Sequence, residues 1–145
     1  IDDYVHKTGS VYAMKKWNDD YDATYVSQVG NDYPHLRYAD VVLMYAEALA
    51  QQDRVADACV YLNKTRKRAG LDDFNTTDKA AFIRELANER GREFALEGQR
   101  WFDLVRLGLA GEVLGADQTH LVFPIPNDQI EIVNDKNILW QNPGF

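Results

Sequence analysis

The sequence predicts a mostly helical protein, and three features of its pattern support this prediction. Apolar residues recur at three- to four-residue steps over three separate stretches, which is the spacing of one helix face. Alanine, leucine, methionine and glutamate, which favour helices, dominate residues 36–51. Glycines and prolines stand between and after these stretches, where helices end. A length of 145 residues fits a single domain, 1–145.

Residues 1–34 are predicted to form a loop-rich lead-in. Aromatic residues alternate here with aspartate, asparagine, serine, threonine and glycine, and no helical period is sustained. Short extended pieces are compatible with residues 11–13 and 24–26. Four residues combine aromatic rings with amide and carboxylate groups that can hydrogen-bond sugar hydroxyls: Trp17, Asn18, Asp19 and Tyr21. We expect these residues chiefly to cover the core, with carbohydrate binding as the alternative.

Residues 35–108 are predicted to form the helical core, which opens with a hairpin of two helices. The first helix follows Pro34 and presents an apolar face marked by Leu36, Ala39, Leu43, Ala46 and Ala50. The second helix is expected to start at an Asp53 cap and to stop at Gly70, with Cys59 buried on its apolar side. The alanine-rich contact resembles one tetratricopeptide-type hairpin, although no second copy at a 34-residue period is visible.

An anchor helix is predicted after the hairpin, with Thr77 or Asn75 as its cap and Gly98 as its end. Gly91 lies on its apolar face, where a missing side chain allows a neighbouring backbone to come close. A short helix rich in aromatic residues follows and ends at Gly108. The anchor helix and this short helix complete the predicted core.

Residues 109–145 are predicted to form an extended strap and a tail. Pro124 and Pro126 exclude a continuous helix because each fixes φ and lacks an N–H donor. A last helical turn is expected at residues 128–133. Trp140 and Phe145 predict a tail that packs against the core.

Composition excludes several classes of function. The formal net charge is −7, so the chain lacks the basic surplus typical of nucleic-acid binding. The sequence has no apolar run of 18 residues and no signal peptide at residue 1. A single cysteine excludes an internal disulfide. Three scattered histidines give no metal-binding motif, and neither a metal nor a cofactor is predicted.

Charged residues of the anchor helix and the short helix admit two interpretations. The carboxylates of Glu85, Glu89, Glu93 and Glu97 stand four residues apart, which suits a metal or acid/base site on one interpretation and ion pairs with interleaved arginines on the other. No Glu-x-x-His motif occurs among them, so ion pairing is the preferred interpretation. Further along the chain, one face carries an arginine–aspartate–arginine series that could bind an acidic ligand or tie the short helix to its neighbours: Arg100, Asp103 and Arg106.

Four blocks of the sequence, in the same order, resemble the SusD/RagB family of outer-membrane glycan-binding lipoproteins. They read RYADVVLMYAEALAQ at residues 37–51, LNKTRKRAGL at 62–71, GREFALEGQRWFDLVRLG at 91–108 and FPIPNDQI…QNPGF at 123–145. The resemblance covers the C-terminal part of that family. It marks a set of structural positions: Arg37, Asp40, Glu47, Arg66, Glu93, Glu97, Arg100, Trp101, Asp103 and Arg106.

The resemblance implies a function in nutrient uptake without catalysis. A protein of this family captures an oligosaccharide at the bacterial surface and passes it to a TonB-dependent, SusC-like transporter. It is held at the outer membrane by an upstream lipid anchor. The resemblance also implies that this chain is mainly scaffold. Two alternatives remain open: a glycoside hydrolase that uses the helix carboxylates, and a helical scaffold that binds peptides.

Overall fold

The computed structural model describes residues 5–8, 11–14 and 33–145, the first two ranges through their backbone. Across these residues the protein is mostly helical, as predicted, with six α-helices and one two-stranded sheet. The chain divides into two compact units, residues 1–82 and residues 83–145, which are described separately below. The organisation as a single domain therefore stays a prediction.

A β-hairpin lies within the lead-in. Strands β1 (Val5–Thr8) and β2 (Val11–Met14) pair antiparallel, with Val5 opposite Met14 and Thr8 opposite Val11. An extended piece at residues 11–13 was expected, whereas its partner strand was not. The missed signal is the Gly9-Ser10 pair between two runs with β-branched residues, which is a typical two-residue hairpin connection.

The predicted helical hairpin is confirmed in the first unit. Helix α1 spans Tyr38–Gln51 and helix α2 spans Val55–Arg68. Side chains buried on the two helices form the core of this unit: Val42, Leu43, Ala46, Leu49 and Ala50 on α1, and Val55, Ala58, Cys59 and Leu62 on α2. Leu36 was wrongly assigned to the buried face. It lies before the first turn of α1 and is 75% exposed.

The turn between α1 and α2 corrects the expected role of Asp53. Its φ of 61° is left-handed, so Asp53 forms the tight turn and does not cap α2. The cap position is taken by Arg54, which makes no side-chain capping bond. Aspartate tolerates the left-handed region better than most residues, which explains its presence here. The carboxylate of Asp53 accepts from Lys79 Nζ at 3.1 Å.

Asn63 fastens the linker that follows α2. After Gly70, whose φ is 72°, the chain runs back along the hairpin. The buried amide of Asn63 donates from Nδ2 to the Phe74 carbonyl at 3.0 Å and accepts from the Phe74 N–H at 2.9 Å. Cys59 is buried, as predicted, and its thiol lies 3.7 Å from the Thr76 carbonyl. These contacts give hydrogen-bond partners to backbone N–H and carbonyl groups of the linker that would otherwise lack them.

Helix α3 spans Lys79–Glu93, and both of its predicted boundaries were wrong. The capping residue is Asp78, whose Oδ1 accepts from the Ala80 N–H at 2.8 Å. Thr76 supports this cap by accepting from the Asp78 N–H at 3.1 Å. The helix ends five residues before Gly98. The left-handed backbone begins at Leu96, with φ of 65°, and returns at Gly98, with φ of 73°.

Short helices complete the second unit. Helix α4 spans Arg100–Arg106, α5 spans Ala110–Leu114, a 3-10 turn covers Gln118–Leu121, and α6 spans Asn127–Val133. The helical turn expected near residues 128–133 is thus confirmed. The tail packs only in part: Gln141 and Asn142 pair with the strap, whereas Trp140 and Phe145, on which the prediction rested, are 61% and 55% exposed.

Candidate functional site

An open depression lined by aromatic side chains lies within the second unit. Its volume is about 480 Å³, within the range of small-molecule pockets. Helix α4, the end of α5, the strap and the terminal residue form its walls. The lining residues are Trp101, Leu114, Gly115, Ala116, Val122, Phe123, Pro124 and Phe145.

Two aromatic rings of this depression, Phe123 and Phe145, are exposed, and the half-buried Trp101 is tilted against Phe123. The ring centroids of Trp101 and Phe123 are 6.2 Å apart, and their planes make an angle of 54°. The Phe123 side chain is 66% exposed, and that of Phe145 is 55% exposed. Apart from the indole N–H of Trp101, the lining side chains are apolar. The depression therefore offers flat apolar surfaces, while polar groups of a ligand would stay in water.

Hydrogen bonds hold the strap that carries Phe123. The Gln141 side chain pairs with both backbone groups of Ile125: its amide nitrogen, Nε2, donates to the carbonyl at 2.8 Å, and its Oε1 accepts from the N–H at 2.7 Å. Asn142 Nδ2 donates to the Phe123 carbonyl at 2.7 Å. The strap is thus paired with the tail by side-chain amides, although it belongs to no sheet. This pairing fixes the backbone beneath the exposed ring.

A buried ion pair positions α4 and, through it, Trp101. Asp103 accepts from Arg90 Nε at 2.8 Å, and both side chains are 5% exposed. Arg106 donates to the other carboxylate oxygen at 2.8 Å. Arg90 also donates to Gln99 Oε1 at 2.9 Å and lies over the Phe94 ring, 4.9 Å from its centroid. One guanidinium therefore joins α3 to the start and the middle of α4.

Sequence reasoning did not single out Arg90, which is the central member of this network. Its position was compatible with an exposed arginine in a charged helix. The available signal was its spacing of three from Ala87 and four from Phe94, both buried, which places it at the edge of the apolar face. Burial of a charge on that face requires a carboxylate from elsewhere in the chain, here Asp103.

Arg100 occupies the space left by Gly91, which corrects the expected approach of a backbone. Its guanidinium donates from Nη1 to the Ala87 carbonyl in α3. A Cβ at position 91 would lie 2.7 Å from Nη1 and 3.0 Å from Cζ of Arg100. The glycine therefore makes room for a cationic side chain to reach a helix carbonyl. Arg100 and Asp103, neighbours on the predicted face, have different partners.

Gly91→Ala is expected to destabilise the protein by about 1 kcal/mol, although alanine in a helix interior normally stabilises by about that amount. The reason is loss of the charged hydrogen bond from Arg100, worth roughly 1.5–3 kcal/mol. In an Arg100→Ala background the same change is expected to stabilise the protein. Urea unfolding of the four proteins of this cycle measures the coupling. Stabilisation by Gly91→Ala in both backgrounds would contradict the assigned contact.

The glutamate series contains ion pairs. Arg92 Nη2 lies 2.6 Å from Glu85 Oε1 and 2.9 Å from Glu89 Oε2. Partial burial lowers the pKa of Arg92, but the hydrogen bonds and charges of Glu89 and Glu85 outweigh this effect and raise it overall. Glu89 and Glu97 are buried. In the part of the chain that the structure describes, no group of histidine, cysteine and acidic side chains is arranged to hold a metal ion.

Four of the structural positions marked by the family resemblance lie in the first unit: Arg37, Asp40, Glu47 and Arg66. Arg37 precedes α1 in extended conformation, and its carbonyl accepts from the Asp40 N–H at 2.9 Å. Asp40 is buried in the first turn, and Glu47 is half-buried further along the helix. Arg66 Nε donates to the Asp72 carbonyl at 2.9 Å, which holds the linker at the end of α2.

The four candidate sugar ligands, Trp17, Asn18, Asp19 and Tyr21, lie outside the described residues. Their role stays a prediction.

Glu93 is the last residue of α3, and Glu97 lies in the turn after it. Both side chains belong to residues that take part in hydrogen bonds or electrostatic interactions.

Comparison with known proteins identifies the family. The model of the SusD family matches residues 3–121, which is most of the chain. The chain belongs to the SusD family. It is 33% identical to the SusD-like protein P2 of Formosa agariphila and 31% identical to the starch-binding protein SusD of Bacteroides thetaiotaomicron. These matches cover 79% and 92% of this chain.

Solved SusD-like structures share the fold. A SusD-like protein from Bacteroides fragilis matches with a TM-score of 0.75 at 28% identity, over 92% of this chain and 30% of that protein. A SusD superfamily protein from Bacteroides vulgatus matches with a TM-score of 0.64 at 30% identity, over 76% of this chain and 27% of that protein. The chain spans about a quarter of the length of its curated SusD relatives, 26% of each of the two named above. Among the described helices, none has the length and apolar character needed to cross a membrane.

Proposed function

We propose that this SusD-family protein binds an oligosaccharide during nutrient uptake, without making or breaking a bond. The observation that carries the proposal is family membership over residues 3–121. It is supported by a relative named as a starch-binding protein, to which this chain is 31% identical. Because Glu85 and Glu89 are both paired with Arg92, these two carboxylates give no support to the hydrolase alternative.

The proposed setting is the bacterial outer membrane. The protein that contains this chain would be held at the cell surface by a lipid anchor and would deliver its glycan to a TonB-dependent transporter. Within it, these residues act mainly as scaffold. The hydrogen-bonded strap and the Arg90–Asp103 pair suit that role, because both fix backbone positions without involving a ligand.

The aromatic depression is a candidate contact for one sugar ring. Pyranose rings present apolar C–H faces that pack on flat aromatic surfaces, and the tilted Trp101 and Phe123 rings form an open angle of that kind. Because the lining offers little hydrogen bonding, this contact alone is expected to be weak, with Kd of about 1 mM or more. The candidate ligands of the lead-in would supply the polar contacts that the depression lacks.

A titration of intrinsic tryptophan fluorescence with soluble starch, plant and host-type oligosaccharides tests the proposal. Saturable binding is expected for the complete gene product, and Phe123→Ala is expected to weaken it about three- to tenfold if the depression contacts the sugar. Phe102→Ala is the matched control, since that ring is 65% exposed but does not line the depression. Trp17→Ala tests the lead-in in the same way.

The outcomes distinguish sugar binding by the complete protein from sugar contact by the residues of this chain. Binding that is insensitive to Phe123→Ala and to Trp17→Ala would place the sugar site elsewhere and leave this chain as scaffold. The absence of binding to every member of the panel would count against sugar capture. Turnover of an oligosaccharide, measured as new reducing ends, would favour the hydrolase.

A further inference from the structure

The tail is joined to the strap by the side chains of two consecutive residues. Gln141 donates to the carbonyl of Ile125 at 2.8 Å and accepts from its N–H at 2.7 Å. Asn142 donates to the Phe123 carbonyl at 2.7 Å. Gln141 Oε1 also accepts from the Asn142 N–H at 3.0 Å, so the two side chains are coupled. We call residues 141–145 the clasp.

The other end of the clasp lies against the 3-10 turn. Gly144 has a φ of 97°, and a Cβ at this position would lie 2.6 Å from Cβ of Thr119. Thr119 is itself fixed by Asp117, whose Oδ1 accepts from its N–H at 2.9 Å and from its hydroxyl at 2.6 Å. Phe145 follows directly, and its N–H donates to the Asn142 carbonyl at 3.3 Å. The backbone of the clasp is therefore fixed at both of its ends.

The clasp sets the positions of two rings in the aromatic depression. Phe123 stands on the strap and Phe145 on the clasp, and their side chains are 66% and 55% exposed, so few neighbouring side chains hold them. Their positions follow from the backbone beneath them. Ordering a mobile segment on binding costs conformational entropy, so a strap that is already held binds a ligand more tightly.

Gln141 is placed to act on the strap and not on a ligand. It is half-buried, both polar atoms of its amide are used by Ile125, and it does not line the depression. A glutamine amide supplies one acceptor and a donor group, which match the N–H and the carbonyl of one extended residue. Any effect of this side chain on a ligand in the depression must therefore pass through the strap.

We infer that Gln141 is a positioning residue for sugar binding: it holds the strap so that Phe123 keeps its tilt against Trp101. That tilt, with ring planes at 54° and centroids 6.2 Å apart, forms the open angle that receives one face of a pyranose ring. The inference rests on the proposed function, because it concerns a sugar in the aromatic depression. It assigns a share of the affinity to a side chain that does not touch the sugar.

A double-mutant cycle in the complete gene product tests the inference. Gln141→Leu removes both hydrogen bonds to Ile125 at similar side-chain size, and Phe123→Ala removes the ring. The Kd values of maltoheptaose and of xylohexaose are measured by tryptophan fluorescence for the wild-type protein, both single variants and the double variant. Gln129→Leu is the matched control, since it makes the same substitution at an exposed position of α6.

Gln141→Leu is expected to raise the Kd about two- to fivefold in the wild-type protein, and less than about 1.5-fold when Phe123 is already alanine. Gln129→Leu is expected to leave the Kd unchanged. Equal effects of Gln141→Leu in both backgrounds would overturn the inference, because the side chain would then act independently of the ring. Gln141→Glu keeps the acceptor for the Ile125 N–H and loses the donor, so it serves as a milder variant, with an intermediate expected effect, if Gln141→Leu does not fold.

The results for Phe123→Ala distinguish failure of the inference from failure of the proposed function. Weaker binding after Phe123→Ala, together with unchanged binding after Gln141→Leu, overturns the inference and supports the sugar contact. Binding that is insensitive to Phe123→Ala also overturns the inference, whereas sugar capture by the complete protein stands. Absence of binding of both oligosaccharides to the wild-type protein counts against the proposed function, and the inference falls with it.

Discussion

Asp103→Ala is expected to lower the free energy of unfolding by about 3–5 kcal/mol, because it leaves the guanidinium of Arg90 buried without its carboxylate. Both side chains of this pair are 5% exposed, so water cannot replace the lost partner without a change in structure. The Arg106 side chain, 40% exposed, loses the same carboxylate but can turn into solvent. Urea unfolding followed by tryptophan fluorescence measures the change, since Trp101 lies two residues away on α4.

Asp57→Ala provides the matched control for this prediction. Asp57 also pairs with an arginine, Arg54 at 2.7 Å, but these side chains are 54% and 56% exposed. An exposed pair of this kind contributes about 0–1 kcal/mol. An equal loss in the free energy of unfolding for Asp103→Ala and Asp57→Ala would show that water reaches the Arg90–Asp103 pair. The comparison separates the effect of burial from the loss of an ion pair as such.

Leu62→Ala is expected to cost about 2–5 kcal/mol, because it removes a fully buried side chain from the contact between α1 and α2 and leaves a cavity. The same substitution at Leu36, which is 75% exposed, is expected to cost less than about 0.5 kcal/mol. Thermal and urea unfolding followed by circular dichroism at 222 nm report both. A small loss for Leu62→Ala would mean that the hairpin contact tolerates collapse around the missing side chain.

These predictions assign different roles to the two halves of the described chain. The hairpin of α1 and α2 is held mainly by apolar burial. The second unit also buries apolar side chains, among them Leu86 and Leu104, but polar contacts fix α4 and the strap, and it presents exposed aromatic rings. A protein that binds sugars needs rings held at fixed positions, because freezing mobile side chains on binding reduces affinity.

Periodicity and composition determined the helical class and the existence of the hairpin. The apolar residues of α1 and α2 recur every three or four positions, which places them on one face of a helix. The alanine and leucine at these positions also favour helix over other structures. The motif blocks likewise identified the family, which matches residues 3–121. These properties depend on residues close together in the sequence, and so they can be read from it.

Helix boundaries and polar partners depended on tertiary structure. Asp53, Asn75 and Thr77 are all chemically able to cap a helix, but the local backbone selects Asp78 for α3 and bends Asp53 into a turn. Local sequence offers several caps of similar energy, so small differences in packing decide between them.

The network around α4 was decided in the same way. The spacing of Arg90 from Ala87 and Phe94 places it at the edge of the apolar face, but its partner, Asp103, lies thirteen residues further on and is brought near only by the fold. Gly91 indicated close packing, but only the fold shows that Arg100 fills the space. The aromatic depression also combines segments that are distant in sequence, from Trp101 to Phe145. The sequence thus determined which groups need partners, and the tertiary structure determined which partners are near enough to serve.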